Sequence, residues 1–143
     1  MLSALAQANY QRDVSAIDPQ AVKRMGWTIV EAAFPVLDVI FSHASAKPIR
    51  LRLECGDWDE LAPAIEILDA DGTQISVMPT DPRSIFNAGP NPNTGKPFIC
   101  MRGSRHYHEL HPEDRWENHR GKPGMDLGGI LFQLWRVWSG IAK

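Results

Sequence analysis

The spacing of apolar residues changes along the chain, and the change predicts helices at both ends with strands between them. Residues 2–12 are rich in helix-forming residues and carry a weak apolar stripe. Asp18 and Pro19 suit the start of a second short helix, and Gly26 suits its end. We expect these two pieces to form one broken N-terminal helix. From Trp27 the apolar residues begin to alternate with polar ones, which is typical of a strand.

Four segments in the middle of the chain predict strands. In the clearest of them three apolar residues alternate with three charged ones, Ile49, Leu51 and Leu53 against Arg50, Arg52 and Glu54. This half-buried strand is expected to form an antiparallel hairpin with the β-branched run 36–41. Residues 64–68 predict a further strand, and a turn at 69–72 would lead into a short return strand at 75–78.

The last helix is predicted by a single apolar stripe at helical spacing. Its members are Leu127, Ile130, Leu131, Leu134, Trp135, Trp138 and Ile141. Asp126 suits the N-cap, so we expect a helix over 125–142. The fold class is therefore α+β in a single domain, 1–143. We expect an antiparallel four-stranded meander with an N-terminal helix and a C-terminal helix packed on the sheet.

Composition and charge exclude several classes of protein. The 143 residues carry a net charge of −2, so no global field attracts nucleic acid. No apolar run approaches the roughly 20 residues that span a bilayer, and no basic segment followed by an apolar one predicts a secretory leader. Two reduced cysteines, Cys55 and Cys100, are then expected. We predict a cytoplasmic protein with neither nucleic acid nor membrane as a partner.

Cys100 is the candidate nucleophile. Five prolines lie between Pro79 and Pro97, so the segment before the cysteine is irregular. A loop of this length in a small domain is usually functional when it is ordered. Phe98 and Ile99 would anchor its end in the core and hold the thiol at the edge of the loop. Cys55 ends a strand and is expected to serve packing.

The segment around Cys100 resembles the ubiquitin-conjugating enzyme family. In that family a sheet meander leads to His-Pro-Asn, a glycine, and then Ile-Cys at the catalytic position, before a tryptophan and a helix. The matching residues here are Asn91-Pro92-Asn93, Gly95, Ile99-Cys100, Trp116 and the helix from Leu127. Asn91 stands where the family has its histidine. The order of elements agrees over about 36–142, and the chain looks like a compact bacterial relative.

The resemblance implies a function. Cys100 would accept a ubiquitin-like protein from an activating enzyme as a thioester and pass it to an amine of a target protein. Asn93 would support the oxyanion formed in that transfer, and His106 or His108 would act as general base. Compact bacterial relatives occur in operons with a ubiquitin-like protein, an activating enzyme and a deconjugating peptidase, and some act in antiviral defence. No cofactor is implied.

Two other functions remain open from the residues alone. His106, His108 and His111 have the spacing H-x-H-x-x-H, and with Cys100 as a thiolate ligand they would suit zinc in a hydrolase or a zinc-stabilised domain. The segment lacks a C-x-x-C or H-E-x-x-H core, so we expect no bound metal. The third function is a catalytically silent binding module of the same fold.

Overall fold

The computed structural model describes residues 3–142. Two helices, α1 (Ala4–Ser15) and α2 (Pro19–Met25), precede the strands β1 (Trp27–Ala33), β2 (Val36–His43), β3 (Ala46–Glu54) and β4 (Ala64–Asp69). The strands β5 (Phe86–Asn87) and β6 (Phe98–Ile99), the helix α3 (Arg105–Leu110), a 3-10 turn (Trp116–Asn118) and the helix α4 (Leu127–Ile141) complete the order. The predicted α+β class is confirmed.

The sheet is the predicted antiparallel meander, with the strand order β1-β2-β3-β4. Leu51 of β3 lies opposite Val39 of β2 and Ile67 of β4, and all three side chains are buried on one face. The opposite face is charged, and there Arg50 donates to both carboxylate oxygens of Asp38 at 2.9 and 2.7 Å. The alternation of β3 and its hairpin with β2 are confirmed.

The helix α4 packs its apolar stripe on the buried face of the sheet. Asp126 caps it by accepting the Gly129 N–H at 2.7 Å, as predicted. The buried side chains of the helix are Leu127, Ile130, Leu131, Leu134 and Trp138. Trp135 is half-buried and packs edge-on against Phe41, with ring centroids 5.3 Å apart. None of the helices within 3–142 is long and apolar enough to cross a membrane.

The N-terminal region and the end of the meander differ from the prediction. The expected broken helix is two separate helices, and α2 has the predicted N-cap Asp18 and C-cap Gly26. The return strand at 75–78 is wrong. The carboxylate of Asp69 accepts both the backbone N–H and the hydroxyl of Ser76. This N–H is therefore not available for hydrogen bonds to a neighbouring strand. Val77 is consequently 75% exposed.

A buried carboxylate joins the N-terminal helix to α4. Asp13 is only 4% exposed and accepts the indole N–H of Trp58 at 2.8 Å. It also accepts the backbone N–H of Leu127, the first residue of α4, at 3.1 Å. Arg12 lies beside it, with its Nε 2.9 Å from the carboxylate. The helix α1, the segment after β3 and the start of α4 therefore meet at one side chain.

Replacing Asp13 tests this junction. Asp13→Ala should lower the free energy of unfolding by about 2–5 kcal/mol, because it leaves two buried N–H donors without an acceptor. Arg12→Ala should cost less than about 1 kcal/mol, because its side chain is 60% exposed. Urea unfolding followed by tryptophan fluorescence measures both. Equal losses in the two variants would contradict the proposed role of Asp13.

Candidate functional site

Cys100 lies directly after β6, where the chain leaves the core. Ile99 and Phe98 are 0% and 6% exposed and anchor this strand. The backbone N–H of Cys100 donates to the carbonyl oxygen of Ile85 at 2.7 Å and extends the pairing of β5 with β6. The Cys100 side chain is partly exposed, whereas Cys55 is 1% exposed within the core. Of the two thiols, Cys100 is the accessible one.

Asp81 fixes the strand that holds Cys100. Its carboxylate is 6% exposed and accepts the backbone N–H groups of Arg83, Ile85 and Phe86 at 3.0, 3.1 and 2.8 Å. Three such bonds fix the backbone around Ile85, the residue that pairs with Cys100. This positioning residue was not predicted from the sequence. The Asp-Pro pair at 81–82, a common turn initiator, was the available signal.

The asparagines of the loop before Cys100 have different roles. Asn91 is 1% exposed, and its side-chain oxygen accepts the Asn93 N–H at 2.7 Å. Its backbone bonds to Lys96 and Gly95 close the loop on itself. Asn93 is exposed, and its side chain forms no hydrogen bond with Cys100 in the described chain. Asn91 therefore builds the loop, and Asn93 lies on its surface.

His108 is tied to backbone on both sides of its ring. Its Nε2 accepts the N–H of Gly103 at 3.1 Å, and its Nδ1 lies 2.7 Å from the carbonyl oxygen of Asp114. This pair of partners fits the neutral ring with its proton on Nδ1. Burial lowers the pKa of His108, which also favours the neutral form. Both ring nitrogens are occupied, so the ring has no nitrogen free for a substrate proton.

The side chain of Asp114 binds three other side chains of the segment that follows Cys100. It accepts from the Tyr107 hydroxyl at 2.5 Å, lies 2.6 Å from Nε2 of His119, and pairs with Arg102 at 2.7 Å. These hydrogen bonds hold the pKa of Asp114 well below its usual range, and the bond from Tyr107 has the largest effect. His111 stacks on Tyr107 with ring centroids 4.2 Å apart. His111 and His119 therefore contribute to the conformation of this segment through their contacts with Tyr107 and Asp114.

His106 faces a different region from Cys100. Its Nδ1 is 3.3 Å from Glu109, and its ring lines a groove of about 580 Å³ with Thr94 and Lys96. This groove lies along the charged face of β3 and β4, and Cys100 does not line it. The structure thus brings His106 together with the loop that carries Asn93. It places neither residue in hydrogen-bond contact with the thiol.

The electrostatics of Cys100 follow from its position. Burial raises the pKa of the Cys100 thiol, and it is the one cause of that shift among the described residues. Burial, with the Glu54 charge as a smaller cause, raises the pKa of Cys55 to about 12. Cys100 is therefore a neutral thiol near neutral pH, and in the described part of the chain neither a base nor a cation activates it.

No metal centre is apparent in the part of the chain that the structure describes. Within 3–142 no group of three or more histidine, cysteine, aspartate and glutamate side chains is placed to hold a metal ion. Two of the predicted ligands, His108 and His111, already form hydrogen bonds through Nδ1 to the backbone carbonyl oxygens of Asp114 and Tyr107.

Neither a family model nor a curated protein matches this sequence.

The state of Cys100 can be tested by alkylation. Since its pKa is raised, little thiolate is present between about pH 7 and pH 8.5, and the rate should rise close to tenfold per pH unit. Iodoacetamide labelling followed by peptide mass spectrometry gives that rate, with glutathione as the reference thiol. A rate that is already constant with pH in this range would mean a lowered pKa. Cys55 should stay unlabelled until the protein unfolds.

The expectation that no metal is bound is tested by chelation. Purified protein should contain much less than one zinc per chain, and a strong chelator should leave its melting temperature unchanged. Elemental analysis and thermal melts measure these quantities. One zinc per chain that is lost in both His106→Ala and His108→Ala, with a large loss of stability, would instead support the zinc-dependent function.

Proposed function

We propose that this protein is a thioester carrier of the ubiquitin-conjugating kind. Cys100 accepts a ubiquitin-like protein from an activating enzyme and passes it to an amine of a target protein. The observation that carries the proposal is the placement of Cys100: an accessible thiol at the end of a buried strand, fixed by backbone pairing and free of acid–base partners. The α+β fold and the order of its elements support the same class.

The first step is an exchange between thioesters. The Cys100 thiolate attacks the carbonyl carbon of the thioester on the activating enzyme and forms a new carbon–sulfur bond. The old carbon–sulfur bond breaks, and the departing thiolate takes up a proton. The incoming acyl group is already activated, so the nucleophile needs no dedicated base. A site without a base would serve amide hydrolysis poorly, which favours the carrier over a cysteine protease.

The raised pKa of Cys100 would have opposite effects on the formation and on the release of a thioester. In thiol exchange a sulfur of lower pKa leaves faster, and a thiolate of higher pKa is the better nucleophile. Less of the Cys100 thiol is ionised near neutral pH, so acceptance of the acyl group is slowed by protonation of this sulfur. The acyl group is released more slowly from Cys100, because this sulfur is the poorer leaving group. Such a thioester would persist until a target amine is positioned beside it.

The second step is attack by the target amine. The amine nitrogen attacks the thioester carbonyl, loses a proton, and displaces the Cys100 sulfur to leave an amide. Asn93 is the proposed donor to the oxyanion, and His106 the proposed base. Neither contacts Cys100 in the free protein. The role of Asn93 therefore requires the loop at 91–96 to shift when the partner binds, and the role of His106 requires a movement of α3. His108 has both ring nitrogens occupied and is better suited to holding the turn after Cys100.

The setting proposed with this function is a bacterial conjugation system in the cytoplasm. The ubiquitin-like protein, its activating enzyme and the target are the partners, a deconjugating peptidase reverses the reaction, and antiviral defence is one use of such a system.

The second candidate is a silent binding module of the same fold. Among residues 3–142 no charged or hydrogen-bonding group shifts the pKa of the Cys100 thiol, which favours this candidate, since an unused thiol would have the same surroundings.

A charging assay separates the two candidates. With its activating enzyme, its ubiquitin-like protein and ATP, the wild-type chain should form an adduct that a thiol reductant removes. Cys100→Ala should abolish it with little change in stability, and Cys55→Ala should charge normally. Non-reducing gels measure the adduct. A reductant-sensitive adduct that persists in Cys100→Ala would refute the nucleophile, and no adduct at all would favour the binding module.

Discharge to free lysine tests the second step in the same system. Asn93→Ala and His106→Ala should charge at nearly the wild-type rate but transfer to lysine roughly 10- to 100-fold more slowly, because each would act on aminolysis alone. His108→Ala should mainly lower stability. Unchanged discharge in Asn93→Ala and His106→Ala would remove both residues from the mechanism.

A further inference from the structure

The first strand of the sheet has one edge without a partner. In the order β1-β2-β3-β4, the strand β1 pairs with β2 on one side only. Within 3–142 no hydrogen bond joins the backbone of residues 28–33 to a group outside this pairing. The other edge is covered, because Leu68 of β4 forms a bridge with Gln74. The free N–H and C=O groups of β1 can therefore accept a further strand.

This edge carries few of the features that prevent edge strands from pairing. Natural edges are protected by lysine, by proline, by inward-pointing charges and by bulges. Residues 28–33 contain one charge, at Glu31, and one bulge, at Val30, which has no partner on β2. Ile29 and Val30 are apolar, yet their side chains are 37% and 43% exposed. An exposed apolar edge of this kind favours the addition of a strand.

The charged residue of β1 has no partner of its own. Glu31 lies opposite Asp38 of β2, on the charged face of the sheet, and Asp38 is already paired with Arg50. Among the described residues Glu31 takes part in no ion pair. Thr28 lies on the same face, because it is opposite Ile40, two residues from Asp38. A hydrogen-bond donor on an added strand would suit this carboxylate.

A second copy of β1 supplies that donor. Antiparallel pairing of two β1 strands about a two-fold axis between positions 29 and 30 sets each Thr28 opposite Glu31 of the other copy. The hydroxyl can then donate to the carboxylate, twice by symmetry, and the two carboxylates do not face each other. The same register sets Trp27 opposite Ala32, and both lie on the face towards α4. A slip of one residue would oppose side chains of different faces.

We infer that two copies of this chain associate through their β1 edges into one continuous sheet. The shared strand is short, so the dimer should be weak and should depend on concentration. A copy of the chain is favoured over an unrelated strand because the match of Thr28 with Glu31 is present in β1 itself. The inference does not rest on the role proposed for Cys100. That residue follows β6, which lies beside β4 at the opposite edge, so both thiols stay accessible in the dimer.

Sedimentation equilibrium of the full chain under reducing conditions tests the inference. The wild-type chain should change from monomer to dimer between about 1 and 500 µM. Val30→Lys sets a charge at the centre of the pairing and should raise the dissociation constant at least about tenfold. Val77→Lys is the matched control and should behave as the wild type, because Val77 is exposed outside the sheet. A monomer throughout this range, or the same change in both variants, would overturn the inference.

A second pair of variants tests the register independently of Val30. Thr28→Lys sets an ammonium group opposite each Glu31 of the other copy, and two exposed ion pairs should lower the dissociation constant roughly three- to tenfold. Adding Glu31→Lys to this variant opposes lysine with lysine and should raise the constant above the wild-type value. An unchanged or weaker dimer in Thr28→Lys, or a tighter one in the double variant, would overturn the inference.

Amide hydrogen exchange locates the contact on the chain. At high protein concentration the amides of 28–33 should exchange more slowly than at low concentration, and those of 72–77 should not change. Protection that is confined to another surface would overturn the inference. Protection of 28–33 only on addition of a different protein, with the chain itself monomeric, would likewise overturn it and assign the edge to that protein.

Discussion

The hydrogen bonds of Asp13 are the constraint on which the rest of this structure depends. One buried carboxylate accepts from Trp58 after β3 and from Leu127 at the start of α4, two groups far apart in the chain. It satisfies one of the N–H groups that every helix leaves free at its start. Because α4 must be buried on the sheet by its apolar stripe, this contact sets where the helix begins over that sheet. The position of α4 then limits what can pack beside it.

The position of α4 restricts the turn that follows Cys100. Gly103 has a φ of 96°, and a Cβ there would lie 3.0 Å from Ile130 of α4. A glycine at position 103 lets the chain turn at this positive φ while its backbone lies close to α4. The Gly103 N–H is then held by His108. On the other side Asp81 fixes Ile85, which pairs with Cys100. The backbone on both sides of Cys100 is thus fixed by hydrogen bonds that do not involve its thiol.

The features that were predicted correctly depend on interactions between residues close in sequence. The features that were missed depend on interactions between residues further apart in sequence. The alternation of β3 and the caps of α2 are set by neighbouring residues, and they were predicted correctly. Most of the predicted stripe of α4 is buried, but Trp135 is only half-buried and Ile141 is 37% exposed. The pairing of β5 with β6 was missed because each strand has two residues and depends on Asp81. The prediction of a strand at 75–78 was wrong because the side chain of Asp69, seven residues before Ser76, accepts the N–H that a strand pairing would use. At the site, the spacing of the histidines gave no sign that backbone groups occupy both nitrogens of His108.

The polar groups around Cys100 consequently act in shaping the loop, and the thiol itself is left without chemical assistance. His108 and His119 are engaged with Asp114, and Asn91 is engaged with its own loop. A thiol in such surroundings attacks unactivated amides poorly, because it has neither a base nor a lowered pKa. It is adequate for an acyl group that arrives as a thioester. In the function we propose, the rate of transfer would then depend on how a partner positions the amine beside the thioester.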